Sequence, residues 1–242
     1  MAPFHPVWDR PIRFMPKDGQ DIQYGEPVLD NPSHVNVIAE LADAGKLKAK
    51  VLAGDSPRSA NYSVQLMLRP CPLFDALELN YKTHTDHGED IQIPSIAQEQ
   101  CDYEGELVVL IGKDAKNVSE NEALDYVAGY TAGNDASAHD WQHGPDKAGP
   151  IPQWMFSQFF DKYAPLGLCL VAAHVLGAAD SLSLRTLVNG QTLQKGLLIM
   201  TGTPGGVGFV YAASGVLKDG DVVEVEIREI GRLRNPVAFN KE

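Results

Sequence analysis

The pattern of apolar positions is most regular from Leu107 to Ile111, where an unbroken apolar run predicts a buried strand that Gly112 ends. Two acids, Glu104 and Glu106, lie just before this run. Side chains two positions apart on a strand point to the same side. We therefore expect the two carboxylates to converge on one point at the mouth of the strand.

Most of the other predicted elements are also strands. Apolar runs between turn residues predict strands at 47–53, 166–173, 182–188 and 222–227. The dipeptide Asn189-Gly190 is typical of a tight hairpin turn. Helical spacing predicts only short helices, one over 37–42 and one between Ser119 and Gly129 that begins with an S-x-x-E capping box. The predicted fold class is therefore α+β and mostly β.

Two prolines mark the predicted domain boundary. Pro70 and Pro72 lie between two β-rich parts of the chain. They predict a small N-terminal α/β domain of residues 1–70 and a main domain of residues 71–242. A length of 242 residues suffices for one substantial core or for a main domain with a small partner.

Charge and composition exclude several classes of function. The formal net charge of -12 argues against a nucleic-acid partner, because phosphate backbones are bound by clustered Lys and Arg. No apolar run approaches the ~20 residues that span a bilayer, and the first residues lack the apolar stretch of a secretory signal. The cysteines at 71, 101 and 169 have the spacing of neither a disulfide framework nor a zinc site. We expect a reducing compartment, the cytoplasm, with the mitochondrion as an alternative.

A third acid points to a metal site. Asp135 follows the apolar segment 126–130, and a turn there would bring it to Glu104 and Glu106. Adjacent, partly buried carboxylates repel each other and lose solvation, and a cation relieves both costs. Carboxylates without interleaved Cys or His favour Mg²⁺, Mn²⁺ or Ca²⁺ over zinc. The alternative is a solvated strand end together with a helix-cap or turn Asp.

Several sequence blocks together resemble a known family. They are NYKTH (80–84), DYEGEL (102–107), GYTAGNDASA (129–138), FDKYAPLG (160–167) and MTGTPGGVG (200–208). In this order they are similar to the fumarylacetoacetate hydrolase superfamily, in its acylpyruvate hydrolase and oxaloacetate decarboxylase branch. The resemblance implies a mixed β-roll main domain and a homodimer. It also implies that Glu104, Glu106 and Asp135 bind Mg²⁺ or Mn²⁺.

The blocks also contain candidate residues for catalysis and substrate binding. His84, which we expect in a loop after a strand, is a candidate general base, and an ordinary loop histidine is the alternative. The Gly-rich block suits a carboxylate, because glycine lets backbone N–H groups approach a ligand, and it lacks the Lys of a nucleotide-binding P-loop. The resemblance implies substrate contacts at Gln142, Thr203, Gly202 and Tyr81.

Single positions depart from the family pattern. His87 stands where the family has a Glu that pairs with the histidine of the first block. His139 and Gln158 stand where the family usually has Arg and Lys. The rim of an anion site thereby loses two cations, so we expect a carboxylate-bearing substrate to be held differently or less tightly.

The family also inserts an additional segment in each of two places where this sequence runs on directly, after Asp86 and after Lys195. Either the chain has lost these lid segments, or the printed sequence omits mobile loops. We favour omission, because lids are drawn from the least stable parts of a fold. Asp86 and His87 would then lie more than one Cα step of ~3.8 Å apart.

These observations predict a metal-dependent enzyme that acts on small 2-oxo acids. The ion would chelate the 1-carboxylate and 2-oxo group and stabilise the enolate that forms as a C3–C4 bond breaks. Hydrolysis of an acylpyruvate is the predicted reaction. Decarboxylation of oxaloacetate and keto–enol tautomerisation, which need no attacking water, are alternatives. An alternative of another class is a non-catalytic or repurposed homologue that binds an organic acid without cleaving it.

Overall fold

The computed structural model describes residues 9–16, 23–31, 37–52, 62–70, 84–197, 203–211 and 215–241. Strands predominate in these ranges and the helices are short, which confirms the predicted α+β, mostly β fold class. No helix within them is long and apolar enough to cross a membrane.

The first four strands form an antiparallel sheet that closes into a small barrel. They are β1 (Ile12–Pro16), β2 (Gln23–Pro27), β3 (Lys48–Leu52) and β4 (Tyr62–Pro70). The barrel closes because β1 pairs with β2 on one side and with β4 on the other. Helix α1 (Val37–Asp43) connects β2 to β3 and buries Ile38, Ala39 and Ala42. The predicted helix over 37–42 and the predicted strand over 47–53 are confirmed.

The rest of the chain alternates short strands and helical turns. The strands are β5 (His84–Asp86), β6 (Ile91–Ile93), β7 (Cys101–Asp102), β8 (Gly105–Ile111), β9 (Val127–Asn134), β10 (Ser137–Ala138), β11 (Ala164–Leu166), β12 (Val171–Ala172), β13 (Ser183–Val188), β14 (Gln191–Leu197), β15 (Val222–Ile227) and β16 (Gly231–Phe239). The α-helices are α2 (His139–His143), α3 (Trp154–Gln158) and α4 (Ala173–Leu176). Single 3₁₀ segments cover Ser95–Ala97, Glu120–Tyr126 and Gly208–Tyr211.

Two five-stranded sheets form the main part of the molecule. One has the order β12-β9-β11-β5, with β8 also paired to β9, and the other has the order β14-β13-β15-β16-β6. Buried residues such as Tyr130, Leu184 and Ile227 form a core between them, and Ile12 and Phe14 of the barrel belong to the same cluster. The barrel and the sheets therefore share one apolar core. The division into domains 1–70 and 71–242 stays a prediction.

The turn and strand predictions after residue 160 are mostly confirmed. The runs 182–188 and 222–227 correspond to β13 and β15. Asn189 and Gly190 have φ of 52° and 77°, as the predicted tight turn requires. The run 166–173 is broken into the end of β11, the whole of β12 and the start of α4.

The helix predicted between Ser119 and Gly129 is wrong in its last three residues, which belong to a strand. Ser119 Oγ donates to Glu122 Oε2 at 2.5 Å, and the chain makes 3₁₀ turns over Glu120–Tyr126. Val127 then begins β9, pairs with Ile111 of β8, and is followed by a strand that is buried throughout. Pairing with a distant apolar strand therefore overrides the local helical spacing.

The chain is continuous where we expected omitted residues. Asp86 ends β5, and a turn follows at once in which Glu89 N–H donates to Asp86 O at 3.1 Å. Lys195 and Gly196 are neighbours inside β14. The sequence runs through both points without a gap. This sequence therefore contains neither family segment at these points, and the omission of mobile loops from it stays a prediction.

A glycine lets β8 lie close against the second sheet. A Cβ on Gly105 would lie 2.1 Å from Thr186 Oγ1 of β13. Thr186 Oγ1 donates to Gln194 Oε1 at 2.5 Å, and Gly105 N–H donates to the same oxygen at 3.3 Å. This contact fixes the backbone between Glu104 and Glu106.

We expect Gly105→Ala to lower the free energy of unfolding by about 1–3 kcal/mol, because the methyl group overpacks a buried contact that cannot move freely. Urea unfolding would measure the change. Gly205→Ala is the matched control, since a Cβ there meets nothing within 4 Å. Equal losses in the two variants would contradict the close approach of the sheets.

Candidate active site

The strand β8 and the end of β9 hold the predicted acids side by side. Glu106 lies opposite Gly133. Asp135 N–H donates to Glu104 O at 2.9 Å, and Glu104 N–H donates to Asn134 Oδ1 at 2.9 Å. These bonds tie the backbones of the acids together. Asn134 is a site residue that the sequence analysis did not single out, although it precedes Asp135 in a matched block.

The strand register extends this cluster across the sheet. Gly133 of β9 also pairs with Leu166 of β11, and Leu166 pairs with Asp86 of β5. Residues directly opposite each other on neighbouring strands point to the same face. A first row on one face therefore runs Glu106, Gly133, Leu166, Asp86.

A second row lies beside the first on the same face. The hydrogen bond from Ala136 N–H to Tyr163 O, 2.9 Å long, keeps the register of β9 and β11 and puts Ala164 opposite Asp135. The residue of β5 paired with Ala164 is the next member. The second row therefore runs Glu104, Asp135, Ala164, His84. Because strands lie about 4.8 Å apart, the Cα atoms of Asp135 and His84 are roughly 10 Å apart with only a methyl side chain between them.

A cavity of about 170 Å³ opens on this face. Glu106 and Asp135 line it on one side, and residues of β11 line it on the other. Gly133 forms part of its floor, where a Cβ would lie 2.6 Å from Val108 Cγ2. The cavity is therefore lined by acidic side chains on one side and by small, apolar residues at its floor.

The three carboxylates lie in a negative environment. Burial is the largest cause that raises the pKa of Glu104 and of Glu106 to about 7, and the charge of Asp135 is the next cause for both. Burial raises the pKa of Asp135 to about 6. Within the described part of the chain, no Lys or Arg contributes to these pKa shifts. Asp135 is thus electrostatically coupled to Glu104 and Glu106, and His139 is the described cationic side chain that lowers the pKa of Glu104.

This cluster fits a hard divalent cation by charge and by donor type. The side chains are not drawn together as a ligand set, however. Among the residues that the structure describes, no three His, Cys, Asp or Glu side chains form a group that could hold a metal ion as they stand. Glu104 bonds to Ser137, and Asp135 accepts a bond from Gln158. The assignment of Glu104, Glu106 and Asp135 as metal ligands stays a prediction.

Gln158, at the family's Lys position, contacts the site directly. Its Nε2 donates to Asp135 Oδ2 at 2.7 Å. An amide satisfies one carboxylate oxygen without neutralising the charge. The position therefore belongs to the site but supplies no cation.

His84 lies in β5 and not in the loop that we expected. The whole of β5 pairs in parallel with β11, which makes these residues a strand. His84 Nε2 lies 3.9 Å from Asp86 Oδ1, and the two side chains are 17% and 16% exposed. The candidate base therefore has an acid beside it on its own strand.

His87, at the family's Glu position, does not face His84. Its Nε2 lies 3.8 Å from Asp43 Oδ1 of α1, and its Nδ1 accepts the N–H of Arg234 at 3.1 Å. Burial is the largest cause that lowers the pKa of His87. This residue belongs to the contact between α1 and β16 and cannot replace the Glu.

His139, at the family's Arg position, is buried behind the acids. Its Nε2 lies 3.0 Å from Asp102 Oδ2, and its Nδ1 lies 2.9 Å from Gln142 Oε1. Burial alone would lower the pKa of His139, but the bonds to Asp102 and Gln142 outweigh burial and raise it. Both acceptors favour the imidazolium form. The expectation that a carboxylate-bearing substrate is held differently or less tightly stays a prediction.

Asp102 is a second site residue that the sequence analysis did not single out. Its carboxylate accepts the N–H groups of Gly208 and Phe209 at 2.9 and 2.7 Å. These N–H groups belong to the Gly-rich block and its next residue, which we expected to face a substrate carboxylate. At this end of the block, the Asp102 carboxylate therefore accepts the N–H groups that we expected to bind a substrate carboxylate.

The other predicted substrate contacts have different positions. Gln142 is buried and holds His139. Thr203 Oγ1 accepts from Gln194 Nε2 at 2.6 Å and donates to Gly105 O at 3.4 Å, beside the acid pair. Gly202 and Tyr81 lie outside the described residues.

The three acids, His84 and the described part of the Gly-rich block all lie in a part of the chain that matches a known family. The sequence profile of the family described as Fumarylacetoacetate (FAA) hydrolase C-terminal matches residues 78–198 and 191–238. The chain belongs to this family. The resemblance stated from the sequence blocks is thereby confirmed.

Two similar proteins have named activities. Oxaloacetate tautomerase fahd2, mitochondrial, of Xenopus laevis is 38% identical over 175 residues, which cover 62% of this chain and 53% of that protein. This chain therefore spans about half of its length. Caffeoylpyruvate hydrolase of Neonothopanus nambi is 34% identical over 292 positions, which cover 100% of this chain and 97% of that protein. Because this chain has 242 residues, the hydrolase contains residues that it lacks, in agreement with the two absent segments.

A solved structure shares the fold. The 2-hydroxyhepta-2,4-diene-1,7-dioate isomerase from Mycobacterium marinum matches with a TM-score of 0.67 and 26% identity, over 97% of this chain and 100% of that chain. Proteins similar to this one thus include a hydrolase, a tautomerase and an isomerase. They support the assignment of an enzyme.

The raised pKa values predict a pH dependence of stability when metal is chelated. Glu104 and Glu106 have a pKa of about 7 in the folded protein against 4.5 without its environment. Between these values the folded state binds more protons than the unfolded state, so their contribution is full below pH 4.5 and is lost as the pH rises through 7. In EDTA we expect the melting temperature to fall over this range.

Glu106→Gln should make this fall shallower, because one of the coupled charges is removed. Scanning fluorimetry across the pH range would measure it. Glu120→Gln, which changes an exposed acid on a 3₁₀ turn, is the control and should keep the wild-type slope. A slope that is the same in Glu106→Gln and wild type would contradict the coupling.

Proposed function

We propose that this protein is a divalent-metal-dependent enzyme that hydrolyses the C3–C4 bond of a small acylpyruvate. The observation that carries the proposal is the pair of rows on one sheet face, with acids at one end and His84 at the other. The similarity to caffeoylpyruvate hydrolase over almost the full length of both proteins supports the reaction type.

Glu104, Glu106 and Asp135 would hold Mg²⁺ or Mn²⁺, with Ca²⁺ as a possible substitute. When bound, the ion supplies Lewis-acid chemistry for the 1-carboxylate and 2-oxo group of the substrate. The closeness of the three acids, whose pKa values no described Lys or Arg lowers, supports this assignment. Coordination would require Asp135 and Glu104 to exchange their present hydrogen bonds for the ion.

His84 is the proposed general base. It lies across Ala164 from Asp135, so a substrate held at the acids extends over Ala164 toward the imidazole. The imidazole takes a proton from the water whose oxygen attacks C4. As the C3–C4 bond breaks, that proton passes to C3 of the departing pyruvate, and the products are pyruvate and a carboxylic acid.

Two further residues have proposed supporting roles. Thr203 is a proposed substrate contact, because its hydroxyl lies beside the backbone of the acid pair. Gln142 acts through His139, which it holds on the side opposite Asp102. Gly202 and Tyr81 stay predicted substrate contacts.

The cavity favours a small substrate. Its volume of about 170 Å³ lies below the ~300–1,000 Å³ typical of sites for drug-sized ligands. Space exists above the sheet at these positions because Ala164 has only a methyl side chain and Gly133 has none. A short acyl group fits this space better than a large aromatic one.

Tautomerisation of oxaloacetate is the second candidate. The observation in its favour is that His87 replaces the family's Glu and contacts Asp43 instead. Moving one proton between C3 and the 2-oxo oxygen needs no attacking water. This reaction therefore depends less on the lid segment that this sequence lacks. The tautomerase of Xenopus laevis is consistent with this candidate.

Assembly and compartment complete the proposal. The family resemblance implies a homodimer. The described cysteines, Cys101 and Cys169, are buried free thiols, which suits the proposed cytoplasm. The name of the Xenopus relative makes the mitochondrion the alternative compartment.

A small panel of substrates tests the reaction. With Mg²⁺ we expect acetylpyruvate to be cleaved, measured by loss of enol absorbance and formation of pyruvate. Glu106→Ala should abolish turnover together with the thermal stabilisation by Mg²⁺. If oxaloacetate tautomerises and acetylpyruvate persists, the second candidate replaces the first. Metal binding without turnover of any 2-oxo acid would leave the organic-acid-binding homologue.

Ala164→Leu tests the position of the substrate. The larger side chain fills the space between Asp135 and His84, so kcat/KM should fall by about 100-fold or more while Mg²⁺ still raises the melting temperature. Ala148→Leu cannot serve as the control, because Ala148 is buried and a larger side chain there would itself overpack the protein. Ala115→Leu, at an exposed position, should keep wild-type kinetics. Wild-type turnover by Ala164→Leu would contradict the proposed substrate position.

A further inference from the structure

The usual acidic partner of the candidate base is missing from its family position. His87 stands there, is buried, and contacts Asp43 and the backbone of Arg234. The connection after β5 is a short turn, closed by the bond from Glu89 N–H to Asp86 O, and holds no additional segment. An acid that acts on His84 must therefore come from another position.

Asp86 occupies such a position. It is two residues from His84 on the same strand, so both side chains lie on the face that carries the acids. Its Oδ1 is 3.9 Å from His84 Nε2, and both side chains are largely buried. Leu166 lies beside Asp86 in its row, and Ala164 lies beside His84 in the other.

The backbone that carries Asp86 is held firmly. Asn235 Nδ2 donates to Asp86 O at 2.6 Å and to Glu89 O at 2.9 Å. Thr85, which is fully buried on the opposite face, donates to Glu89 Oε2 at 3.1 Å. These bonds fix the turn that carries Asp86.

We propose that Asp86 is the positioning residue for His84 and takes the role of the family's Glu in this chain. This inference rests on the proposed function, in which His84 is the general base. The carboxylate keeps the imidazole in the tautomer with hydrogen on Nε2, so that Nδ1 carries the lone pair that accepts the proton. It also stabilises the imidazolium that exists until the proton passes to C3.

The distance of 3.9 Å is an ion-pair distance and longer than a direct hydrogen bond. Catalytic contacts between side chains commonly shorten when substrate binds. The charge of Asp86 acts at 3.9 Å without a direct bond, since both groups lie largely out of solvent.

Kinetics of charge and length variants test this role. Asp86→Asn should lower kcat about 10- to 100-fold, part of the 10²–10⁴ that a positioned base contributes, with KM within twofold. Asp86→Glu should recover most of the loss. Asp9→Asn is the matched control, because Asp9 pairs with His174 at 2.7 Å on the exposed surface, and it should behave as wild type. In a His84→Asn background, Asp86→Asn should cost nothing further.

A kcat for Asp86→Asn within twofold of wild type would overturn the proposal, as would equal losses in Asp86→Asn and Asp86→Glu. A full additional loss in the His84→Asn background would also overturn it, since Asp86 would then act independently. Melting temperatures of all variants separate a folding defect from a kinetic one. If Asp86→Asn does not fold, Asp86→Ala takes its place in the kinetic and NMR comparisons, with the same expected and contradicting results.

Nitrogen-15 NMR of the histidine side chains gives a readout that needs no turnover. In wild type we expect His84, assigned with His84→Asn, to be mainly in the Nε2–H tautomer, and Asp86→Asn to shift it toward a mixture. An unchanged tautomer would overturn the pairing. Absence of turnover in wild type, combined with this tautomer change, would reject the proposed reaction and keep the pairing of Asp86 with His84.

Discussion

The register between β8 and β9 is the constraint on which the site depends. Glu106 lies opposite Gly133, and the backbone of Glu104 bonds to that of Asp135. Because side chains alternate along a strand, a shift of one residue would turn every one of these carboxylates to the other side. The close contact of Gly105 with Thr186 holds β8 against the second sheet and so helps to keep this register. The acids are thus placed by backbone pairing between two strands that are separated in sequence.

Charge and size are balanced around that constraint. Partial burial and the charge of Asp135 raise the pKa of Glu104 and of Glu106, and the charge of His139 lowers the pKa of Glu104. The neighbouring strand contributes Ala164, whose small side chain leaves space where a substrate can lie between acids and base. The same face therefore has acids that attract a cation at one end and open space over Ala164 beside them. A metal-assisted reaction of a small keto acid needs this arrangement.

Two family segments are absent from this sequence, and their absence changes the surroundings of the candidate base. Without them β5 runs directly into a turn, and His87 packs against α1. The pairing of β5 with β11 nevertheless keeps His84 on the face of the acids, and it brings Asp86 there as well. The candidate base His84 therefore lies on a strand and not on a mobile lid. Such a base is held by backbone pairing and lies largely out of solvent.

Local sequence determined the strand Leu107–Ile111, the turn at Asn189-Gly190 and the family blocks that bring together Glu104, Glu106 and Asp135, because these depend on neighbouring residues and on motif order. It did not determine that Val127 starts a strand, since pairing with Ile111 decides this. Nor could it show that His139 bonds Asp102, or that Asp86 and not His87 lies beside His84. Those contacts are set by which strands pair and in which register, and this choice depends on the free energy of burying the whole core.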